Sequence, residues 1–110
     1  MLPASVRIFV CTEPQDMRRS FDGLAAATRE VLGKDPQCGA LFAFVNKRGN
    51  RVKVLWWDRN GYCLLYKRLH RAVFRLPPRG DDQDASAIRI DGRELARFLE
   101  GVSKQARTRA

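Results

Sequence analysis

The stretch LFAFVNKRGNRVKVLWWDRNGYCLLYKRLH, residues 41–70, reads as three strands joined by two tight turns. Residues 41–46 read as a strand, Lys47-Arg48-Gly49-Asn50 carries turn chemistry, and residues 51–58 return as the second arm of a hairpin. Side chains alternate along a strand, so Val52, Val54 and Trp56 share one face of that arm, and Arg51, Lys53, Leu55 and Trp57 share the other. After the turn Arg59-Asn60-Gly61, residues 62–70 continue with Cys63, Leu65 and Leu69 on one side and Tyr62, Leu64, Tyr66, Arg68 and His70 on the other. One face is core, while the opposite one mixes basic and aromatic side chains. A short strand at 73–76 completes the meander.

On the N-terminal side, residues 5–11 alternate Val6, Ile8 and Val10 against Arg7, Phe9 and Cys11, the period of a half-buried strand. After a loop containing Pro14 the period changes. Met17, Phe21, Leu24, Ala25, Thr28, Val31 and Leu32 fall on one helical stripe, with Asp16 placed to cap the helix and Gly33 to end it. This reading puts Arg18 and Arg19 in the first helical turn, where cations oppose the macrodipole and a bound phosphate would reverse the penalty.

On the C-terminal side, Pro77-Pro78-Arg79-Gly80 with Asp81, Asp82 and Asp84 forms an acidic loop over 77–87. Its aspartates lack the spacing of a calcium loop. Residues 87–90 read as a strand. Asp91 with Glu94 is a capping box that opens a helix carrying Leu95, Phe98, Leu99 and Val102. Residues 103–110, with Lys104, Arg107 and Arg109, read as a basic flexible tail. The order strand, helix, meandering strands, helix predicts a single α+β domain over residues 1–102: a mostly antiparallel sheet with an amphipathic helix after the first strand and a C-terminal helix.

A chain of 110 residues with 45% apolar content holds one ordinary core. The longest apolar run, residues 41–45, is too short to span a bilayer, and residues 1–10 lack the apolar core of a secretory signal, so the expected compartment is the cytoplasm. The three cysteines, Cys11, Cys38 and Cys63, are an odd number without a CxxC pair, and the expectation is three small buried hydrophobes. No pattern in the chain asks for a metal or another cofactor.

Charge placement is more informative than the net charge of +9. Residues 1–46 hold five basic and five acidic side chains, residues 80–110 hold six of each, and residues 47–79 hold ten basic side chains against Asp58 alone. Such a segment repels itself unless a polyanion is near, which makes nucleic acid the leading partner. A membrane is the weaker alternative, because no basic amphipathic helix accompanies the charge. The candidate contact set is Arg51, Lys53, Trp57, Tyr66 and Arg68 on one sheet face, Lys47, Arg48, Lys67 and Arg71 at its edges, and Arg18 and Arg19 at the helix start. Basic side chains would hold phosphates, and aromatic rings would stack on bases or pack on sugars. A competing reading makes Trp56 and Trp57 core residues on the two sides of a strand covered by helices.

Three motifs occur in order: Asp16-Met17-Arg18-Arg19-Ser20-Phe21-Asp22-Gly23-Leu24, then Lys53-Val54-Leu55-Trp56-Trp57-Asp58, then Gly61-Tyr62-Cys63-Leu64 leading to Tyr66-Lys67-Arg68-Leu69. Together they resemble the TnpB accessory proteins, products of the second open reading frame, of bacterial insertion-sequence family sixty-six. The resemblance runs from about residue 6 to residue 76, and beyond Pro78 only an apolar C-terminal helix is shared in kind. It implies a part in transposition beside a separate, larger transposase that carries the acidic catalytic residues. An alternative to DNA binding is therefore a protein-interaction module that docks on that transposase, or forms a homodimer, through Phe44, Leu55, Trp57 and Tyr66. A nuclease would need several carboxylates converging on a metal; the central segment offers only Asp58, Asp22 and Glu30 share no helical stripe, and His70 has no local partner, so the chain is read as non-catalytic.

Overall fold

In the computed structural model, which describes residues 6–78 and 86–104, the strand β1 (Ile8–Cys11) is buried along its whole length. Ile8 and Val10 join one apolar cluster, and Phe9 and Cys11 the other, so this strand has a core on both sides rather than on one. The remaining elements in chain order are α1 (Phe21–Glu30), β2 (Leu41–Val45), β3 (Arg51–Asp58), β4 (Gly61–Arg68), β5 (Ala72–Val73), β6 (Ala87–Ile90), α2 (Gly92–Glu100) and β7 (Val102–Ser103). The main sheet has the order β4-β3-β2-β1-β6. β1 runs parallel to β2, as the intervening α1 crossover requires, and all its other neighbouring pairs are antiparallel. The protein is thus an α+β domain with a mostly antiparallel sheet.

The β2–β3–β4 meander stands where the alternation places it. Pairing of β3 with β4 is one-for-one from Arg51↔Arg68 to Asp58↔Gly61, with no bulge to reverse the faces. Val52 and Val54 pack with Phe74 and Phe98 on the α2 side, with Trp56 partly buried against them. Leu55 packs with Leu24, Ala25 and Ala27 of α1 on the other side. The sheet is the middle of three layers. Burial of each such Leu or Phe side chain contributes roughly 1.5–3 kcal/mol, so neither face is free to stand open to water.

Five expectations are revised by tertiary packing. The helix does not begin at Asp16: this residue forms its own turn, in which the Arg18 N–H donates to Asp16 Oδ1 at 2.9 Å and the Arg19 N–H to the Asp16 carbonyl at 3.1 Å. Arg18 and Arg19 therefore precede α1 instead of occupying its first turn. The predicted fourth strand of the meander leaves the sheet, because β5 pairs with β7 in a separate ribbon. Val102 belongs to that ribbon and not to α2, which ends at Glu100 and is followed by the cap residue Gly101 (φ +78). Ser103, the first residue of the expected tail, is likewise paired with Ala72. Among the cysteines only Cys11 is buried, where desolvation raises its thiol pKa; Cys63 is half-buried and Cys38 is exposed. Asp81, Asp82 and Asp84 and the tail residues 105–110 lie outside the described residues.

The capping box holds as read. The Glu94 N–H donates to Asp91 Oδ1 at 2.8 Å and the Asp91 N–H to Glu94 Oε1 at 3.0 Å, satisfying two N–H groups that the helix leaves free. At the other helix, Gly33 (φ +64) lets the Lys34 N–H reach back to the Thr28 carbonyl at 3.1 Å and close α1.

Candidate nucleic-acid interface

The turn between β2 and β3 is stiffened by its own side chains. Asn46 Nδ2 donates to Asn50 Oδ1 at 2.8 Å, the Arg51 N–H donates to Asn46 Oδ1 at 3.0 Å, and Gly49 takes a positive φ of 76°. The Phe74 N–H donates to the Gly49 carbonyl at 2.7 Å and the Leu69 N–H to the Asn50 carbonyl at 2.8 Å, which pins the chain after β4 against the turn. Lys47 and Arg48 are held out at the tip, both exposed.

Beside this turn the pre-helical loop forms the other wall of a cleft of about 620 Å³, lined by Arg18, Lys47, Arg48, Arg51, Asp16 and neighbouring uncharged residues. Four cations thus face one carboxylate. That carboxylate is already engaged: Arg18 approaches Asp16 at 2.6 Å as an ion pair, and its hydrogen bonds hold the Asp16 pKa down to about 2 from an ordinary 3.8. Arg68 lies directly across the strand pair from Arg51. Like charges placed so are mutually destabilising, and here Arg51 Nη1 donates to the Tyr66 hydroxyl at 2.8 Å instead of finding an acid. A second cleft, of about 710 Å³, lies on the other side of the turn and shares Lys47 and Arg48 with the first. It adds Arg75, which sequence reasoning passed over; its place in the basic run was the available signal.

The structure divides the predicted contact set. Arg18, Lys47, Arg48 and Arg51 come together on the cleft, with Arg68 abreast of Arg51. Arg19 is exposed in the same loop, its aliphatic stem lying over Gly23, where an added Cβ would sit 3.1 Å from Arg19 Cβ. Arg71 is exposed at the bend after β4, with a φ of 54°.

Lys53, Lys67, Trp57 and Tyr66 stand apart from the lining of this cleft. Lys53 is only 6% exposed under the pre-helical loop. Its Nζ donates to the Met17 carbonyl at 2.7 Å and the Arg19 carbonyl at 2.6 Å and lies 4.8 Å from the centre of the Tyr66 ring. Its charge is spent inside the protein, holding the loop that carries Arg18 and Arg19. Lys67 points to the opposite side of the sheet, where its Nζ donates to the Leu99 carbonyl at 2.7 Å and caps the last turn of α2. Trp57 is half-buried, set edge-on to Tyr62 with ring centres 5.0 Å apart. It stands six residues along β3 from Arg51, about 20 Å at the rise of a strand. The exposed Tyr66 ring is likewise engaged by Lys53 and Arg51.

Among the described residues, no three His, Cys, Asp or Glu side chains converge where a metal ion would be held. No helix among them is long and apolar enough to cross a membrane.

Comparison with known proteins matches residues 6–109 to the family model described as IS66 Orf2-like protein. The match extends through α2, further than the three sequence motifs reach. Two relatives come from Sinorhizobium fredii (strain NBRC 101917 / NGR234), both carried as uncharacterized proteins. One, y4hO, is 38% identical over 104 residues, spanning 93% of this chain and 87% of the relative. The other, y4jC, is 35% identical over 97 residues, spanning 88% and 80%. No solved structure matches the chain.

Proposed function

This chain belongs to the IS66 Orf2-like family, transposition-associated accessory proteins of insertion sequences without a catalytic role, and from that premise we propose that its part is to hold DNA by the phosphate backbone. The contact surface is the cleft formed by the pre-helical loop and the β2–β3 turn, and the protein acts in the bacterial cytoplasm beside the transposase of its element. The observation that carries the reading is three cations, Lys47, Arg48 and Arg51, on one cleft whose single carboxylate is already paired with the fourth, Arg18. Arg68 and Arg75 extend the same charge past the rim. Phosphate contacts position a protein on DNA without reading its sequence, which suits a surface made of exposed lysine and arginine.

The test is fluorescence anisotropy of the protein with labelled duplex DNA over a salt series. Three phosphate contacts give a slope of log affinity against log salt of roughly −3, and replacing Lys47 and Arg48 by Ala flattens it by about 2. A slope near zero in the wild type would refute the reading and leave the transposase as the partner to test.

A further inference from the structure

We propose that the outer edge of β4 is a docking strand for a second copy of this chain, forming one continuous antiparallel sheet across a two-fold axis at Leu65. The sheet ends in two edges, β4 and β6. β6 is short, at 4 residues, while β4 has 8, contains no proline and pairs with β3 without a bulge. Proteins blunt long edges with proline, bulges or charged side chains; on β4 the charges stand only at the last two positions, and Lys67 is turned onto the Leu99 carbonyl, so the stretch before them is a straight template for another strand. Among the described residues no backbone group pairs with the outer side of β4. Among the described residues, two of the four exposed large apolar side chains are on this strand and adjacent: Leu65, 40% exposed, and Tyr66, 48% exposed.

The occupant follows from where the charges sit. Lys67 and Arg68 close one end of the strand and leave its other end uncharged. A parallel, in-register copy would set Lys67 against Lys67 and Arg68 against Arg68. An antiparallel copy avoids this. A two-fold axis normal to the sheet keeps each face on its own side, so residues that meet across it differ by an even number. With the axis at Leu65, that residue meets its own counterpart, Tyr66 meets Leu64, Lys67 meets Cys63, and Arg68 meets Tyr62. Every cation then faces an uncharged side chain, and the exposed leucines are covered by each other. β4 thus meets itself in this register with no like charges opposed, and its basic end selects the orientation.

A residue on a two-fold axis meets its own charge, so either sign at position 65 is repulsive. Sedimentation equilibrium of the DNA-free protein, in enough salt to screen its net charge, is expected to show a monomer–dimer equilibrium. Leu65→Lys and Leu65→Glu each weaken it about tenfold, as charge at the centre of an interface does. A single accessible cysteine at that position, Leu65→Cys with Cys38→Ser and Cys63→Ser, forms an intermolecular disulfide on mild oxidation, since opposed residues in an antiparallel pair stand within bridging range. Thermal melts confirm that the variants fold. A chain that stays monomeric at every concentration overturns the proposal, as does a dimer that strengthens with one sign of charge at 65. Bridging by Leu64→Cys in place of Leu65→Cys overturns the axis. None of these readouts involves DNA, so failure here is distinguishable from failure of the cleft.

Discussion

Replacing Lys53 by Met keeps the length of the side chain and removes only its ammonium. The loss is two hydrogen bonds from a charged donor, to the Met17 carbonyl at 2.7 Å and the Arg19 carbonyl at 2.6 Å, and a cation–π contact with Tyr66. Hydrogen bonds to charged groups contribute about 1.5–3 kcal/mol each, and the ring contact about 0.5–2 kcal/mol. Two effects act against this sum. A methionine avoids the cost of desolvating an ammonium that is only 6% exposed, and carbonyls released from a surface loop regain water. The net expectation is a loss of about 1–3 kcal/mol, which for a domain of this size lowers Tm by roughly 5–20 °C. Urea and thermal melts measure the total. Hydrogen exchange locates it, with the Arg18 and Arg19 amides, now bonded to Asp16, losing protection first. Wild-type stability together with unchanged exchange at those amides would refute the role assigned to Lys53. A normal fold with the DNA salt slope reduced by about 1 would instead return Lys53 to direct phosphate contact.

Two further outcomes follow from local geometry. The Asp16 carboxyl, held at about 2 by the Arg18 hydrogen bonds, titrates by NMR well below 3.8, and Arg18→Ala moves it back up. Because its folded pKa is depressed, the stabilisation it brings is present above pH 4 and is lost as pH falls from about 4 to 2. Gly101→Ala is destabilising by about 1–3 kcal/mol or more: φ +78 with ψ 176 is a region nearly confined to glycine, and a new Cβ would sit 2.5 Å from Leu69 Cδ1 and 3.1 Å from the Val73 carbonyl oxygen. Thermal melts check it, and a wild-type Tm would refute the strain.

Local sequence determined the hairpins and the cap. The turns at 47–50 and 59–61, the alternation through β3 and β4, and the Asp91–Glu94 box all involve residues close in the chain, whose geometry is fixed by backbone chemistry before distant packing matters. The IS66 Orf2-like relationship was legible for the same reason, since its motifs are short runs at fixed spacing. The concentration of basic charge in residues 47–79 was equally plain, but not its distribution in space. Which cations remain available was decided by contacts between residues far apart. Lys53 meets a loop 34 and 36 residues away, and Lys67 meets a helix end 32 residues away. Alternation tells which residues share a face, not whether a helix will cover that face, and α1 covers this one. The cleft likewise exists only because the Asp16 turn and the β2–β3 turn are brought side by side, a juxtaposition set by the parallel pairing of β1 with β2 and by the core on both sides of the sheet.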